Sequence, residues 1–362
     1  MTDERAAADP ELKKFYKKME THHLAPLWEI MGRLAPVKPT PRARPHLWRW
    51  KDMLPLIEES GERALLGDGD RRVLGLINPG MDEGKWAATE TLWAAYQYIL
   101  PGEKAPPHRH SAAAIRFIIE GSGAYTTIEG DRCILDKGDF VVTPPWVWHD
   151  HGNDSDAPII WMDGLDIPLV RDLDASFFEL LGDRALPPEK PLGDSEGRYA
   201  SGHLRPAWEE PDLSGSPLFV YKWARTEEAL RRLAAVDASP FDDVVMEFTN
   251  PATGGPVLAT ISCRVQLIRS GVRTLAHRHT GGAVYLAVEG SGTSVIEGMR
   301  FDWERGDMFV VPPWAWHEHA GAGGEGILFS IHDSPVMQSL SLYMEEAYGE
   351  GDGHQEMTGI FA

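Results

Sequence analysis

The 362-residue sequence contains only two cysteines, Cys133 and Cys263, too few for a disulfide framework and without zinc-site spacing. No stretch approaches the roughly 18 apolar residues of a membrane-spanning helix. Basic residues are outnumbered, 35 Lys+Arg against 55 Asp+Glu, so the formal net charge is −20. Nucleic acids and anionic membranes attract clustered positive charge, so we expect neither as a partner. Residues 1–14 lack the apolar core of a signal peptide, and we expect a cytoplasmic protein.

What the sequence does contain is an internal repeat. Residues 106–123 (PPHRHSAAAIRFIIEGSG) match residues 275–292 (LAHRHTGGAVYLAVEGSG) at an offset of 169. Residues 137–151 (KGDFVVTPPWVWHDH) match residues 305–319 (RGDMFVVPPWAWHEH) at an offset of 168. The chain therefore consists of two related domains in tandem.

Short β-type runs with glycine-containing turns between them fill the first copy of the repeat. They are residues 115–119, 124–128, 131–135, 140–143 and 159–162. This spacing predicts a β-sandwich or β-barrel. Helices are predicted outside the repeat, over 9–21 with Asp9 as N-cap and over 226–236 with Thr226 as cap. Residues 346–362 are acidic and rich in glycine, and no long apolar run is present to dock them. We therefore predict a loose tail that does not pack on the domain.

Eight of the 14 histidines belong to the duplicated motifs. Residues i and i+2 of a strand face the same side, so His108 and His110 project together, and His149 can approach them from another strand. Three converging imidazoles form a metal site suited to Zn, Cu, Fe or Ni. The second copy contains the same triad, His277, His279 and His317, for which metal binding, decay and simple packing remain open.

The two copies differ beside these histidines. Arg116, on the histidine side of its strand, is replaced by Tyr285 in the second copy, and Asp163 is replaced by Ile331 at the repeat offset. A guanidinium can bind a carboxylate through two hydrogen bonds. We therefore expect the N-terminal domain to be the catalytic one. His151, two residues beyond the third histidine, is a candidate acid or base.

The HxH motif, the EGSG that follows it and the GD-x-x-x-x-PPW-x-WH segment resemble the two cupin motifs, and their duplication resembles a bicupin. More narrowly, HRHSAAAIRFIIEGSG and PPWVWHDHGN resemble the gentisate 1,2-dioxygenase family, which includes salicylate and 1-hydroxy-2-naphthoate dioxygenases. The resemblance implies an all-β fold with peripheral helices, built from two tandem jelly-roll β-barrels. Many cupins carry a metal-binding Glu where this chain has Ala114 and Ile115. Its absence disfavours the oxalate decarboxylase branch.

This resemblance also sets the expected domain organisation. We expect an N-terminal helical arm at 1–65, a catalytic cupin at 66–183, a linker with a helix at 184–240, a second cupin at 241–345 and a tail at 346–362. Such proteins form homo-oligomers, and we expect a homotetramer.

The implied activity is Fe(II)-dependent cleavage of gentisate, between its carboxyl- and hydroxyl-bearing carbons, to maleylpyruvate. The expected partners are a small aromatic carboxylate and O2. His108, His110 and His149 are the expected iron ligands, Arg116 binds the carboxylate, and His151 and Asp163 manage protons. By resemblance Arg72 and Trp93 also line the substrate pocket, with Arg71 as the alternative to Arg72.

Other functions remain open at this point. The same chemistry on salicylate, a substituted salicylate or 1-hydroxy-2-naphthoate differs from gentisate cleavage only in pocket shape. Another metal-dependent bicupin, quercetinase-like or a decarboxylase, is disfavoured by Arg116 and by the missing Glu. A non-catalytic ligand-binding bicupin is disfavoured because both histidine triads are intact.

Overall fold

The computed structural model describes residues 9–64, 71–182, 186–210 and 215–361. The chain divides into two compact units, Met1–Thr40 and Pro41–Ala362. Among the described residues, no helix is both long enough and apolar enough to cross a membrane.

The first unit contains helices α1 (Pro10–Thr21) and α2 (Leu27–Leu34). The Asp9 carboxylate accepts hydrogen bonds from the amides of Glu11 and Leu12, at 2.9 and 3.3 Å, which confirms the predicted N-cap. Neither helix has a buried residue.

The second unit is mostly β. Its helices are α3 (Trp50–Arg63), α4 (Ile167–Asp172), α5 (Asp194–Tyr199), α6 (Trp223–Ala234) and α7 (Ser334–Ser339), with a 3₁₀ turn at Gly351–Gly353. Its strands up to the second copy of the repeat are β1 (His46–Trp48), β2 (Val73–Gly75), β3 (Trp93–Ile99), β4 (Lys104–His110), β5 (Ala114–Glu120), β6 (Ser122–Ile128), β7 (Asp131–Asp136), β8 (Phe140–Thr143), β9 (His149–Asn153), β10 (Ile159–Leu165), β11 (Phe178–Leu180) and β12 (Val220–Tyr221). The later strands are β13 (Val244–Glu247), β14 (Ser262–Ile268), β15 (His277–His279), β16 (Ala283–Ile296), β17 (Met299–Glu304), β18 (Met308–Val311), β19 (His317–His332), β20 (Glu345–Ala347) and β21 (Gly359–Ile360).

Two sheets form the N-terminal barrel, one in the order β12-β8-β5-β10-β3-β2 and the other in the order β11-β4-β9-β6-β7. The C-terminal barrel repeats this pairing, with β1-β18-β16-β19-β14-β13 as its first sheet. Its long strands β16 and β19 each continue into the second layer, where they pair with β17 and β15. Two jelly-roll barrels in tandem are the fold that the sequence predicted.

The two barrels exchange an edge strand. β1 precedes the N-terminal barrel but pairs with β18 of the C-terminal barrel, and β12 precedes the C-terminal barrel but pairs with β8 of the N-terminal one. Each exchanged strand leads into a helix, α3 or α6. A shared apolar core, in which Phe117 stacks on Phe329 at 4.5 Å between ring centroids, joins the barrels.

Two local predictions were wrong. The helix predicted from Thr226 begins at Trp223, and its N-cap residue is Lys222. The end of the chain is docked: β21 pairs with β17, and the Phe361 ring stacks on Phe301 at 4.8 Å. The proposed domain boundaries stay predictions, and 1–8, 65–70 and 183–185 at their edges lie outside the described residues.

Candidate active site

The strands β4 and β9 bring the first histidine triad together. His108 lies directly opposite His149 in the antiparallel ladder, and His110 follows on the same face of β4. All three side chains are buried, and one ring nitrogen from each lies within 4.8 Å of the other two. The predicted triad therefore has the geometry of a metal site.

Hydrogen bonds to backbone carbonyls determine which nitrogen of each imidazole carries the proton. Nδ1 of His108 donates to Pro106 O at 2.7 Å, Nδ1 of His110 donates to Ala112 O at 2.7 Å, and Nδ1 of His149 donates to Val147 O at 2.9 Å. Since Nδ1 carries the proton in each ring, the lone pair is on Nε2.

The triad also fits a metal ion electrostatically. Desolvation is the main cause that lowers the pKa of His108 to about 2 and that of His110 to about 4, and it holds the pKa of His149 well below its usual value. The rings are therefore neutral ligands at physiological pH. The buried Nε2 of His149 has no hydrogen-bond partner among the described residues, as expected of an atom whose partner is a metal.

A cavity of about 530 Å³ opens beside the triad. Its lining combines one triad histidine, two arginines, an aspartate and apolar rings: Arg71, Val73, Trp93, Gln97, His110, Ser111, Ala112, Arg116, Asp163, Leu165, Ile167, Ser176, Phe177 and Phe178. A lining that combines charged groups with aromatic and aliphatic side chains suits a small aromatic acid.

Arg116 and Asp163 lie opposite each other on β5 and β10 and form a buried ion pair, with 3.2 Å between Nε and Oδ1. Arg116 also donates to the Thr143 hydroxyl at 2.8 Å, and Asp163 accepts from Trp161 at 3.2 Å. Burial lowers the pKa of Arg116 to about 10 and raises that of Asp163. Arg116 is therefore still a cation at neutral pH, held in one orientation by its partners.

The arginine that reaches the cavity from the start of β2 is Arg71, which corrects the prediction of Arg72. Nη1 of Arg71 lies 2.7 Å from Nε2 of His108. Arg72 is buried on the opposite side, where it pairs with Glu103 at 2.7 and 3.0 Å and donates to Ser60 O. Neighbouring residues of an extended chain face opposite sides, so a one-residue error in register exchanges the two roles.

Trp93 and Gln97 line the cavity from β3, where residues two apart face the same side. Gln97, whose counterpart in the second copy is Gln266, was not predicted as a site residue. Its even spacing from Trp93 along one strand was the available signal. His151 lies behind the triad, with its ring 5.8 Å from those of both His108 and Trp161. Both of its nitrogens are buried without a partner among the described residues.

The second triad repeats the first in the C-terminal barrel. His277, His279 and His317 are buried, with ring nitrogens within 4.8 Å of one another. His279 and His317 donate to backbone carbonyls at 2.8 and 3.1 Å, but Nδ1 of His277 has no partner among the described residues. The Arg116 position is held by Tyr285, as the repeat indicated.

The counterpart of Asp163 is Ser330, not Ile331. Arg116 pairs with Asp163 in the N-terminal barrel, and Tyr285 occupies the same place opposite Ser330 in the C-terminal barrel. The offset between the copies has fallen to 167 at this point, because the segment from His317 to Ser330 is one residue shorter than the segment from His149 to Asp163. The second copy therefore has neither the arginine nor the aspartate at these two positions.

Comparisons with known proteins agree with this geometry. The family model described as "Cupin domain" matches residues 95–167 and 264–331. A gentisate 1,2-dioxygenase from Aquipseudomonas alcaligenes is 41% identical over 94% of this chain and 98% of its own length. The chain belongs to the gentisate 1,2-dioxygenase family.

Two further relatives belong to the same group. A 5-aminosalicylate 1,2-dioxygenase from Comamonas sp is 40% identical over 97% of this chain and 94% of its own. The crystal structure of a salicylate 1,2-dioxygenase from Pseudoaminobacter salicylatoxidans in its adduct with gentisate superposes with a TM-score of 0.90 at 37% identity, covering 94% of this chain and 95% of that chain. The protein is thus a bicupin ring-cleaving dioxygenase with a histidine-triad metal site, as predicted.

Proposed function

We propose that this enzyme is an Fe(II)-dependent dioxygenase that cleaves gentisate, between its carboxyl- and hydroxyl-bearing carbons, to maleylpyruvate. The observation that carries the proposal is the meeting of two guanidinium groups, Arg71 and Arg116, with the His108–His110–His149 triad at one cavity. Asp163 balances the charge of Arg116, so a neutral substrate would leave the charge of the second guanidinium, Arg71, without a partner in the cavity. A 2-hydroxybenzoate supplies a carboxylate and an adjacent hydroxyl.

The metal would be held by the Nε2 atoms of His108, His110 and His149. Three neutral ligands would leave the metal its full 2+ charge. They would also leave coordination positions open, as the 2-His-1-carboxylate iron sites of other oxygenases do. When bound, Fe(II) would supply the Lewis acidity and the electron transfer that O2 chemistry requires. The same donors suit zinc or copper, so iron is the specific part of the proposal.

We infer that Arg71 holds the substrate carboxylate. Nη1 of its guanidinium lies 2.7 Å from Nε2 of His108, the atom that would bind the metal. A carboxylate bound to that metal would therefore lie beside the Arg71 guanidinium at the cavity wall. Arg116 is fixed by Asp163 and Thr143 and supplies a second positive charge.

The remaining residues orient the substrate and control protons. The Trp93 indole and the Phe177 and Phe178 rings form the apolar wall against which an aromatic ring can pack. Asp163 is the acid nearest to the reacting region, and its charge is tied to Arg116. An acid or base function for His151 stays a prediction, since that side chain lies behind the triad.

The test is reconstitution of metal-free protein under anaerobic conditions. Fe(II) together with gentisate should restore consumption of one O2 per gentisate, with both oxygen atoms recovered in the product. Zn(II), which occupies the same ligands without redox chemistry, should restore nothing. Iron-loaded protein that consumes no O2 with any hydroxybenzoate would overturn the proposal.

Substrate preference needs its own measurement. kcat/KM for gentisate, 5-aminosalicylate, salicylate and 1-hydroxy-2-naphthoate would rank the candidates, and gentisate is expected first. If another of these four compounds has the highest kcat/KM, the proposed reaction stands but gentisate is not the preferred substrate.

We also propose a cytoplasmic homotetramer. The unpaired, buried Cys133 and Cys263 support a reducing compartment. In the first unit, Trp28 is 60% and Leu34 67% exposed, and such apolar side chains support a contact with another subunit. Light scattering of the full chain beside a Trp28→Glu, Leu34→Glu double variant should show a tetramer only for the former. A monomeric parent protein would contradict the proposal.

A further inference from the structure

The peptide group between Ala112 and Ala113 links His110 to a buried carboxylate. Its carbonyl oxygen accepts the Nδ1 proton of His110 at 2.7 Å, and its N–H donates to Oδ1 of Asp166 at 2.8 Å. Asp166 is only 3% exposed. Asp166 is the N-cap residue of helix α4, but its side chain accepts no hydrogen bond from the amides of that helix. Its carboxylate instead accepts the hydrogen bond from this peptide.

The other oxygen of Asp166 is held from the second barrel. Oδ2 accepts a hydrogen bond from the Thr260 hydroxyl at 2.6 Å. The connection therefore runs from Thr260 of one barrel through Asp166 and one peptide to His110 of the other.

The same arrangement occurs in reverse. Nδ1 of His279 donates to Gly281 O at 2.8 Å, the following amide of Gly282 donates to Oδ1 of Asp333 at 2.9 Å, and Thr91 of the N-terminal barrel donates to Oδ2 of Asp333. Thr91 and Thr260 are equivalent positions of the repeat, as are Asp166 and Asp333. Because the same chain of hydrogen bonds occurs at equivalent positions in both barrels, we regard it as a regular feature of the fold and not as a chance contact.

A second carboxylate supports the third histidine of each triad, within the same barrel. Glu129 accepts from the Trp148 amide at 3.1 Å, and the carbonyl of that peptide accepts from His149. Glu297 does the same for His317 through the Trp316 amide, at 2.6 Å. Glu129 is exposed to solvent, so its influence is screened, whereas that of Asp166 is not.

We propose that Asp166 and Thr260 are positioning residues for the metal centre of the N-terminal barrel, and that Asp333 and Thr91 do the same for the second triad. A carboxylate bonded to a peptide N–H polarises the group and strengthens its carbonyl as an acceptor. The carbonyl then holds the imidazole in one tautomer and increases its electron donation at Nε2. Each barrel thus supplies a hydroxyl that supports the metal ligand of the other.

The first experiment needs no metal, so its result is independent of whether the proposed iron chemistry is correct. In metal-free protein labelled with ¹⁵N-histidine, the Nδ1–H resonance of His110 should shift in Thr260→Val and in Asp166→Asn. It should stay unchanged in Thr91→Val, which should instead shift the resonance of His279. Unchanged His110 resonances in both Thr260→Val and Asp166→Asn would overturn the proposal.

The second experiment rests on the proposed function and measures the Fe(II) concentration that half-activates metal-free enzyme. Outer partners of metal-ligating histidines typically contribute about 10- to 100-fold to metal affinity. We expect Asp166→Asn to raise this concentration within that range, Thr260→Val by about 10-fold, and Glu129→Gln by less. Thr260→Ser keeps the hydroxyl and should restore the parent value.

Thr91→Val is the matched control for the second experiment, because it removes an equivalent hydroxyl at the same interface. An equal loss of iron affinity in Thr91→Val and Thr260→Val would mean general loosening between the barrels and would contradict the proposal. Failure of the parent protein to bind iron would contradict the proposed function alone, and the resonance shifts would still decide the hydrogen-bond chain.

Discussion

Alternation along an extended segment decides which of two adjacent arginines lines the cavity. Arg71 lies at the cavity wall, and Arg72 is paired with Glu103 on the other side. The sequence Arg-Arg carries no information on this choice, since either residue can start β2. The two side chains therefore provide a matched pair for experiment.

We expect Arg71→Gln to raise KM for gentisate by about 10- to 100-fold, with a smaller change in kcat, because a charged hydrogen bond is worth about 1.5–3 kcal/mol. Arg72→Gln should leave KM near the parent value and lower the free energy of unfolding by about 1.5–3 kcal/mol, since it leaves Glu103 without its partner. Steady-state kinetics and denaturant unfolding measure the two effects. If KM rises in Arg72→Gln and not in Arg71→Gln, Arg72 is the residue that binds the substrate.

The two triads provide a second matched pair. His108→Ala should abolish turnover, because it removes a ligand from the barrel that also has Arg116 and Asp163. His277→Ala should largely spare turnover, because Tyr285 and Ser330 replace those groups in the second barrel. Turnover measured on variants with parent-like circular dichroism tests this expectation. The reverse result would place catalysis in the C-terminal barrel.

Among the elements, the exchanged strands β1 and β12 were not predicted, although the helix that follows β12, α6, was predicted with a later start. β12 and α6 pack on the N-terminal barrel through Trp223, whose ring lies against the β7–β8 turn at Gly138. β1 and α3 use Trp50 in the same way, against Gly306 of the other barrel. These segments lie outside the motifs, so the repeat did not reveal them. Their partners are decided by long-range packing.

Gly138→Ala tests how closely α6 packs. An added Cβ would lie 2.5 Å from the Trp223 ring, and the residue has φ +85°. Gly102→Ala is the control, since it has φ +78° and no neighbour within 4 Å. Both variants incur the backbone cost, about 1–2 kcal/mol, and only Gly138→Ala adds overpacking of about 1–3 kcal/mol. Thermal unfolding should rank the variants accordingly; equal losses would argue against close packing of Trp223.

For the molecule as a whole, net charge and local charge differ in sign. The chain carries a net charge of −20, yet its cavity holds Arg71 and Arg116 against the single carboxylate of Asp163. A small anionic substrate is attracted by this local field together with the metal, whereas a polyanion meets the negative surface. The global excess of acid therefore does not oppose the proposed substrate.

Acid should destabilise the metal-free protein. Desolvation lowers the pKa of ten histidines: His46, His108, His110, His149, His151, His277, His279, His317, His319 and His332. The unfolded chain binds protons near pH 6.5 and the folded chain does not, so this stability is present above pH 6.5 and is lost as pH falls. The limit is about 1.4 kcal/mol per pH unit for each histidine. Burial raises the pKa of Asp333 to about 6, an opposite but smaller effect.

Denaturant unfolding between pH 7 and pH 5.5 measures this loss. His332→Gln should reduce the pH dependence by about one proton. Stability that is flat over this interval would contradict the expectation.

The duplicated motif was sufficient to predict two tandem barrels, the histidine triads and the family, because metal ligands on a strand obey a short, local spacing. Arg116 was also predictable, since an even spacing along one strand determines its side. The side of Arg71, the true counterpart of Asp163, the exchanged strands and the Thr–Asp connections between barrels were decided only by the tertiary structure. Each depends on register shifts or on contacts between distant segments, and packing of the whole chain settles those rather than the pattern of any single segment.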